Sequence, residues 1–278
     1  MKTHIERNSV QETLVIPLYG RKLCTEQFPE LFSDRKAVEL IDRIDYDFSD
    51  LEKKSGSLAH RFGALEVAMR ENDLMTEARD YLESHPDAAL VNLGCGLDQT
   101  CENCDNGRCR IYNVDLPDVI AVREELLPGN ERIRNIAADL NDVSWFDRIN
   151  AEGGVCFLAA GVFYYFKSTE IRSLLPAMAK RFPGGRLVFD SANRRAVKIM
   201  LKTWVKEAGI TSIADYFSVN SLEKDILPWM QGARVSARGY MLGYHDLKVP
   251  SVPRLFRWMA KLGDGYMKMQ IIRMDFEE

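Results

Sequence analysis

The feature that most limits what this chain can fold into is the run Leu90-Val91-Asn92-Leu93-Gly94-Cys95-Gly96, an apolar strand that ends in two glycines. Glycine at 94 and 96 lets the backbone turn sharply and approach a neighbour with no Cβ in between. The next strand candidate, Ile111-Tyr112-Asn113-Val114, ends on Asp115, about 20 residues further on, where a carboxylate can accept from both hydroxyls of a ribose. A strand, a glycine turn and an acid at the end of the following strand are the parts of a nucleoside-binding α/β crevice.

The loop decides which nucleoside fits. A dinucleotide fold calls for a third glycine three residues after the second, so that a helix N-terminus can approach a pyrophosphate. Here that position is Gln99, and Asp98 places negative charge where a phosphate would lie. This argues against a nicotinamide-dependent oxidoreductase. S-adenosylmethionine, with a ribose, a sulfonium and an amino-acid tail, suits the charge better.

The remaining chain supports one large α/β domain. From Ala88 onward strand and helix patterns alternate, with strands expected near 89–93, 110–114, 132–137, 154–160 and 186–190, and helices near 117–127, 143–150 and 169–182. Such alternation builds a mainly parallel, Rossmann-like sheet with helices on both faces. Two late β-rich segments, Ala233 to Leu242 and Tyr266 to Phe276, flank a helix around Phe256 to Leu262 and predict an antiparallel pair at the sheet edge. Pro176 is expected to kink the helix that contains it. Residues 1–87 read as a helical extension that forms part of the substrate wall, and 88–278 as the catalytic domain. In the extension Ser33-Asp34 caps a helix with Val38, Ile41 and Ile44 on one face, and a longer helix runs from about Ser57 through Tyr81.

Composition excludes several classes. The net charge of -4 gives no general affinity for polyanions, so no nucleic-acid partner is expected. The basic cluster Arg194, Arg195, Lys198, Lys202 and Lys206 alternates with Val197, Met200, Leu201, Trp204 and Val205 and reads as the solvated face of an amphipathic helix. The longest uncharged stretch, Gly153 to Phe166, is too short to span a bilayer, and the N-terminus has no apolar signal core. A cytoplasmic protein is expected. Cys95, Cys101, Cys104 and Cys109 lack the paired-knuckle spacing of a zinc ribbon, so they read as free loop thiols and no metal is expected.

Four segments carry a family resemblance: Val91 to Asp98, Val114 to Ile120, Phe157 to Phe166 and Phe182 to Asp190. Ile16 to Arg21 and Ala37 to Ile44 add to it. In order and spacing they resemble the leucine carboxyl methyltransferase family, in its bacterial branch, over roughly residues 12 to 192. The resemblance implies a class I methyltransferase fold and S-adenosylmethionine as cofactor. It places Gly94 and Gly96 under the methionine part, Asp115 with Leu116 at the ribose, and Asp139 with Leu140 at the adenine. It also implies that Arg70 pairs with the methionine carboxylate and that Tyr165 faces the reaction centre. Many relatives carry a glutamate for the methionine amino group where this chain has Ala160, and Asp98 is the candidate replacement. From the residues alone, Arg70 can equally be an exposed helix residue, Asp139 a cap and Tyr165 a core aromatic.

The expected function is S-adenosylmethionine-dependent O-methylation of a small-molecule acceptor. Tyr164, Tyr165, Tyr19 and Arg21 are candidates for the acceptor wall. Of His4, His60, His85 and His245, only His245 is placed to reach a pocket, which favours a carboxylic acid acceptor, already ionised, over a phenol that needs a base. The alternatives are phenolic O-methylation and a catalytically idle protein that binds the cofactor and works through a partner. Oligomeric state is not legible.

Overall fold

A computed structural model describes residues 2–6, 10–200 and 216–278. In chain order its elements are β1 (Thr3–His4), α1 (Val15–Gln27), α2 (Arg35–Arg43), β2 (Ile44–Asp45), α3 (Ser49–Lys54), α4 (Leu58–Ser84), β3 (Ala89–Leu93), β4 (Arg110–Asp115) and α5 (Pro117–Leu126). There follow β5 (Ile133–Ala137), β6 (Val155–Ala159), α6 (Ser168–Arg181), β7 (Arg186–Ser191), α7 (Arg194–Met200), α8 (Leu222–Asp225), β8 (Ala233–Gly239), α9 (Arg254–Gly265) and β9 (Gln270–Phe276). Apart from the short β1–β2 pair, the strands form one sheet in the order β5-β4-β3-β6-β7-β9-β8. Five are parallel, and β9 runs antiparallel between β7 and β8.

Strands β3, β6 and β7 are buried along their whole length, because helices cover both faces of the sheet. Two apolar cores result, one beneath the N-terminal helices and one around Trp145, Phe157 and Phe189. The caps fall where the residues dictate. Asp34 Oδ1 accepts from Ala37 N–H at 2.8 Å, and Ser57 accepts from His60 N–H at 3.3 Å. The buried side of α2 carries Ala37, Leu40 and Ile41, one position round from the expected face. The expected helix over 143–150 is a 3-10 segment, Val143–Arg148, opened by an Asp142 turn. Helix α6 runs unbroken through Pro176. Helix α7 supplies the first part of the expected basic helix, with Val197 buried. Leu201, Lys202, Trp204, Val205 and Lys206 lie outside the described residues.

Helix α4 sets the depth of everything on it. The Tyr81 hydroxyl donates to Gly184 O at 3.1 Å and accepts from Val155 N–H at 3.1 Å, which fixes that end at the beginning of β6 and β7. Arg186 adds bonds to Glu77 O at 3.0 Å and to Asp80 at 2.6 Å. Eleven residues of helix before Tyr81 rise about 16 Å, the length of a five-residue strand. Arg70 therefore arrives at the opposite, carboxyl edge of the sheet, where open α/β sheets bind ligands.

Candidate functional site

The glycine turn leaves β3 with Gly94 at φ +61° and Gly96 at φ +48°, a conformation that L side chains rarely adopt. A Cβ at 94 would stand 2.5 Å from Val162 Cγ2, and one at 96 would stand 3.1 Å from Leu14 Cδ2. Both vacant Cβ positions are thus used by protein neighbours. The glycines are needed for backbone geometry and packing before any ligand enters the argument.

The loop after the turn is held by two arginines. Arg21 donates to Leu97 O at 2.9 Å, and one Arg123 nitrogen donates to Gly96 O at 2.8 Å and Asp98 O at 2.7 Å. Arg123 is fully buried and also pairs with Glu102 at 2.7 Å. It was missed in the sequence, although it lies on the same buried face of α5 as Val119 and Leu126, a place where a charge needs a partner. The Asp98 side chain accepts from Asn92 at 2.6 Å and from Thr100 N–H at 3.0 Å, so it braces the loop. Arg21 pairs with Asp34 at 2.9 Å and faces Glu71 at 3.6 Å. Tyr19 stacks on Phe48 and is 6% exposed. Arg21 and Tyr19 are therefore internal supports, which corrects their expected place in the acceptor wall; burial in the helical layer outweighs their polar ends.

Asp115 closes β4 at the mouth of the turn. Its carboxylate accepts from Gly96 N–H at 2.8 Å and Leu116 N–H at 2.7 Å, and two lone-pair positions remain for a ligand. Burial pushes the Asp115 carboxyl above the usual range, against the lowering effect of those two amides. Leu116 is 38% exposed beside it. Asp139 is exposed just past β5 and accepts from Asn141 N–H at 2.9 Å. The Leu140 side chain is buried in the Trp145 core, so only its backbone can face the crevice.

At the ends of β6 and β7, Arg70 donates to Asp190 Oδ2 at 3.1 Å, and Gly161 N–H donates to Asp190 Oδ1 at 2.6 Å. Burial works to lower the Arg70 pKa, but the Asp190 carboxylate together with Tyr240 and Tyr164 turns the net direction upward. Arg70 Nε is buried with no hydrogen-bond partner among the described residues. Ala160 is partly exposed next to this pair. Asp190 was also missed, although an acid closing the apolar run Leu187-Val188-Phe189 is a detectable signal. Tyr164 is buried, and its hydroxyl pKa is raised first by burial and then by Asp190. Tyr165 is 49% exposed on the 3-10 turn Phe163–Tyr165.

Two further groups bear on proton transfer. His245 Nε2 lies 2.8 Å from Asp73, a fully buried carboxyl that burial pushes up to about 7. Asp73 is nearly a turn beyond Arg70 along α4, toward the opposite edge of the sheet, so His245 is engaged there and is not the free pocket base that the sequence allowed. Glu66 is one turn before Arg70 on the outward side, partly buried, and its carboxyl is pushed up to about 7 by burial. Its side chain makes no hydrogen bond or ion pair among the described residues. Among those residues no group of three His, Cys, Asp or Glu is placed to hold a metal, and no helix is long and apolar enough to cross a membrane.

Comparison with known proteins bears on this arrangement. The leucine carboxyl methyltransferase family model matches residues 18–179. The tetracenomycin polyketide synthesis O-methyltransferase TcmP of Streptomyces glaucescens is 30% identical over 188 residues, 67% of each chain. The S-adenosyl-L-methionine-dependent methyltransferase dpfgK of Gibberella zeae is 26% identical over 235 residues, 78% of this chain and 77% of its own. A DUF574-family protein of Streptomyces avermitilis superposes with a TM-score of 0.58 at 10% identity, over 96% of this chain and 97% of its own. A protein of Thermobifida fusca described as a candidate methyltransferase gives 0.57 at 14% identity, over 85% and 90%. These two solved structures bear on the fold alone, which is that of the class I methyltransferases. The chain belongs to the leucine carboxyl methyltransferase family and is an S-adenosylmethionine-dependent methyltransferase.

Proposed function

We propose that the chain transfers the cofactor's methyl group to an oxygen of a small-molecule acceptor. The observation that carries this reading is the charge layout at the carboxyl edge: Asp115 at one end of the glycine turn, and Arg70 with an unpartnered buried Nε at the other. A ribose matches a carboxylate with spare lone pairs, and an amino-acid carboxylate matches an arginine with a spare donor. Gly94, Gly96, Leu116, Asp139, Leu140 and Ala160 would line the crevice between these ends. Asp98 is tied into its loop through Oδ1 alone and keeps Oδ2 as an acceptor for the amino group. Residues 1–87 act here as the extension that brings Arg70 and Glu66 to the wall.

The bound cofactor supplies an electrophilic methyl group on a sulfonium. Such a transfer asks the protein chiefly to align, desolvate and hold the acceptor. A small apolar cluster apart from the two main cores is suited to holding it, with Tyr164, Ala192 and Val197 at its centre and Met200, Tyr216 and Met269 against them. Tyr165 and Tyr216 flank it, joined through the Lys167–Tyr216 backbone bridge, and their rings can stabilise a sulfonium by cation–π attraction. An aromatic, largely apolar acceptor fits this wall. The low net charge argues against nucleic acid as acceptor.

A carboxylic acid acceptor is the first reading, because no histidine stands free at the wall. Glu66 favours a second, a phenolic or enolic hydroxyl, since a carboxyl pushed up to about 7 can take a proton near neutral pH. Cofactor-loaded protein incubated with a metabolite extract, with methylated products and S-adenosylhomocysteine read by mass, tests the function. Cofactor binding without any turnover would move the reading to an idle binding protein. With an acceptor in hand, a single-turnover rate that is level from about pH 6 to 9 and indifferent to Glu66→Gln supports the carboxylate. A rate that rises through about pH 7 and collapses in Glu66→Gln supports the hydroxyl.

A further inference from the structure

Three elements that are remote in sequence meet at one carboxylate. Asp190, next to last in β7 and 2% exposed, accepts from Arg70 of α4 at 3.1 Å through one oxygen and from Gly161 N–H at 2.6 Å through the other. The fit depends on glycine at 161. Its φ is +71°, and a Cβ there would stand 2.9 Å from the Arg70 nitrogen that makes the ion pair. The strand register places Ala159 opposite Phe189, so Ala160 lies beside Asp190 and the tip of β6 contributes no carboxylate of its own.

The pair is one-sided. Asp190 takes a single guanidinium nitrogen, while Arg70 Nε stays buried and unpartnered and the Arg70 side chain keeps 16% exposure. A guanidinium held by one nitrogen keeps its remaining N–H donors for a two-point contact with a carboxylate. Tyr164 and Tyr240 pack round the pair as neutral phenols, their acidity suppressed first by burial, so neither offers Arg70 a competing charge. The result is a buried negative charge directly behind a partly open positive one, the charge pattern of a receptor for a zwitterion.

We propose that Asp190 is the positioning residue that aims Arg70 and the Gly161 turn at the amino-acid end of the cofactor. This rests on the cofactor reading above, which puts Arg70 at the tail, and goes beyond it by assigning to Asp190 the orientation of that arginine and of the Gly161 turn. Asp190 acts through Arg70, so its loss should matter only for ligands that carry the tail.

The test compares two ligands by calorimetry: S-adenosylhomocysteine, which has the amino-acid tail, and 5′-methylthioadenosine, which has the same nucleoside thioether without it. In Asp190→Asn, affinity for S-adenosylhomocysteine should fall at least tenfold while that for methylthioadenosine stays within about twofold. Arg70→Gln, partly exposed and safer for folding, should show the same selective loss. The double variant should lose little more than either single one, because the two residues act as a unit. Equal losses for both ligands, as a merely structural role would give, would overturn the proposal. So would unchanged or tighter S-adenosylhomocysteine binding in Asp190→Asn. If the parent protein binds neither ligand, the cofactor reading itself falls, an outcome distinct from any selective result.

Discussion

Gly94→Ala offers the sharpest physical test of the glycine turn. Residue 94 sits at φ +61°, where an alanine costs about 1–2 kcal/mol from its Cβ against the following carbonyl. The same Cβ would lie 2.5 Å from Val162 Cγ2 and 2.9 Å from Cγ1. Valine is stiff about χ1 and Val162 is buried, so it cannot swing aside, and overpacking adds about 1–3 kcal/mol. The sum is a destabilisation of about 2–5 kcal/mol. For 278 residues at ~2.1 cal/mol/K each, that lowers Tm by about 3–9 °C. Gly96→Ala, at φ +48°, would meet only the flexible Leu14 Cδ2 at 3.1 Å and should lose just the backbone part, about 1–2 kcal/mol. Urea unfolding of both variants, and of Gly94→Ala with Val162→Ala, measures the two parts separately. The smaller side chain should relieve the clash, so the double variant should be more stable than the sum of its parts. If the two alanine variants agree within about 0.5 kcal/mol, or the Val162 change shows no coupling, the packing argument fails.

Three other outcomes follow from the site. Asp115→Ala should weaken S-adenosylhomocysteine binding roughly tenfold to a hundredfold, the value of one charge-assisted bond at about 1.5–3 kcal/mol; parent-like affinity by calorimetry would remove the ribose role. Glu71 is buried and its carboxyl is pushed from the ordinary 4.5 up to about 8, chiefly by burial. Because the folded state then holds the proton more tightly than the unfolded state, this group's stabilisation is complete below about pH 4.5 and is lost as pH rises through about 8. Glu71→Gln should accordingly gain relative to the parent between pH 5.5 and 8.5 in denaturant midpoints, and a pH-independent difference would count against the assignment. All six cysteines are buried, and all six have thiol pKa values raised chiefly by burial: Cys24, Cys95, Cys101, Cys104, Cys109 and Cys156. A thiol reagent at pH 8 should therefore react slowly with the native protein and with six groups after unfolding; several fast native thiols would contradict that burial.

Local order was legible because it is written locally. Apolar runs of strand length, the glycines at 94 and 96, the acid that closes β4 and the caps at Asp34 and Ser57 each act within a few residues of chain. The alternation from Ala88 onward settled the sheet's parallel character, since parallel strands need crossovers long enough to hold a helix. Which partner fills each special position was decided only in three dimensions. Nothing near Gly94 announces Val162, nothing near Arg70 announces Asp190 across 120 residues, and Arg21 reaches Leu97 across 76. The insertion of β9 between β7 and β8, and the capture of His245 by Asp73, are of the same kind. Periodicity and turn chemistry report how a segment folds on itself. The meeting of a buried charge with its counter-charge depends on which elements the sheet order and the pinning of α4 bring to the same edge, and that is a property of the assembled chain.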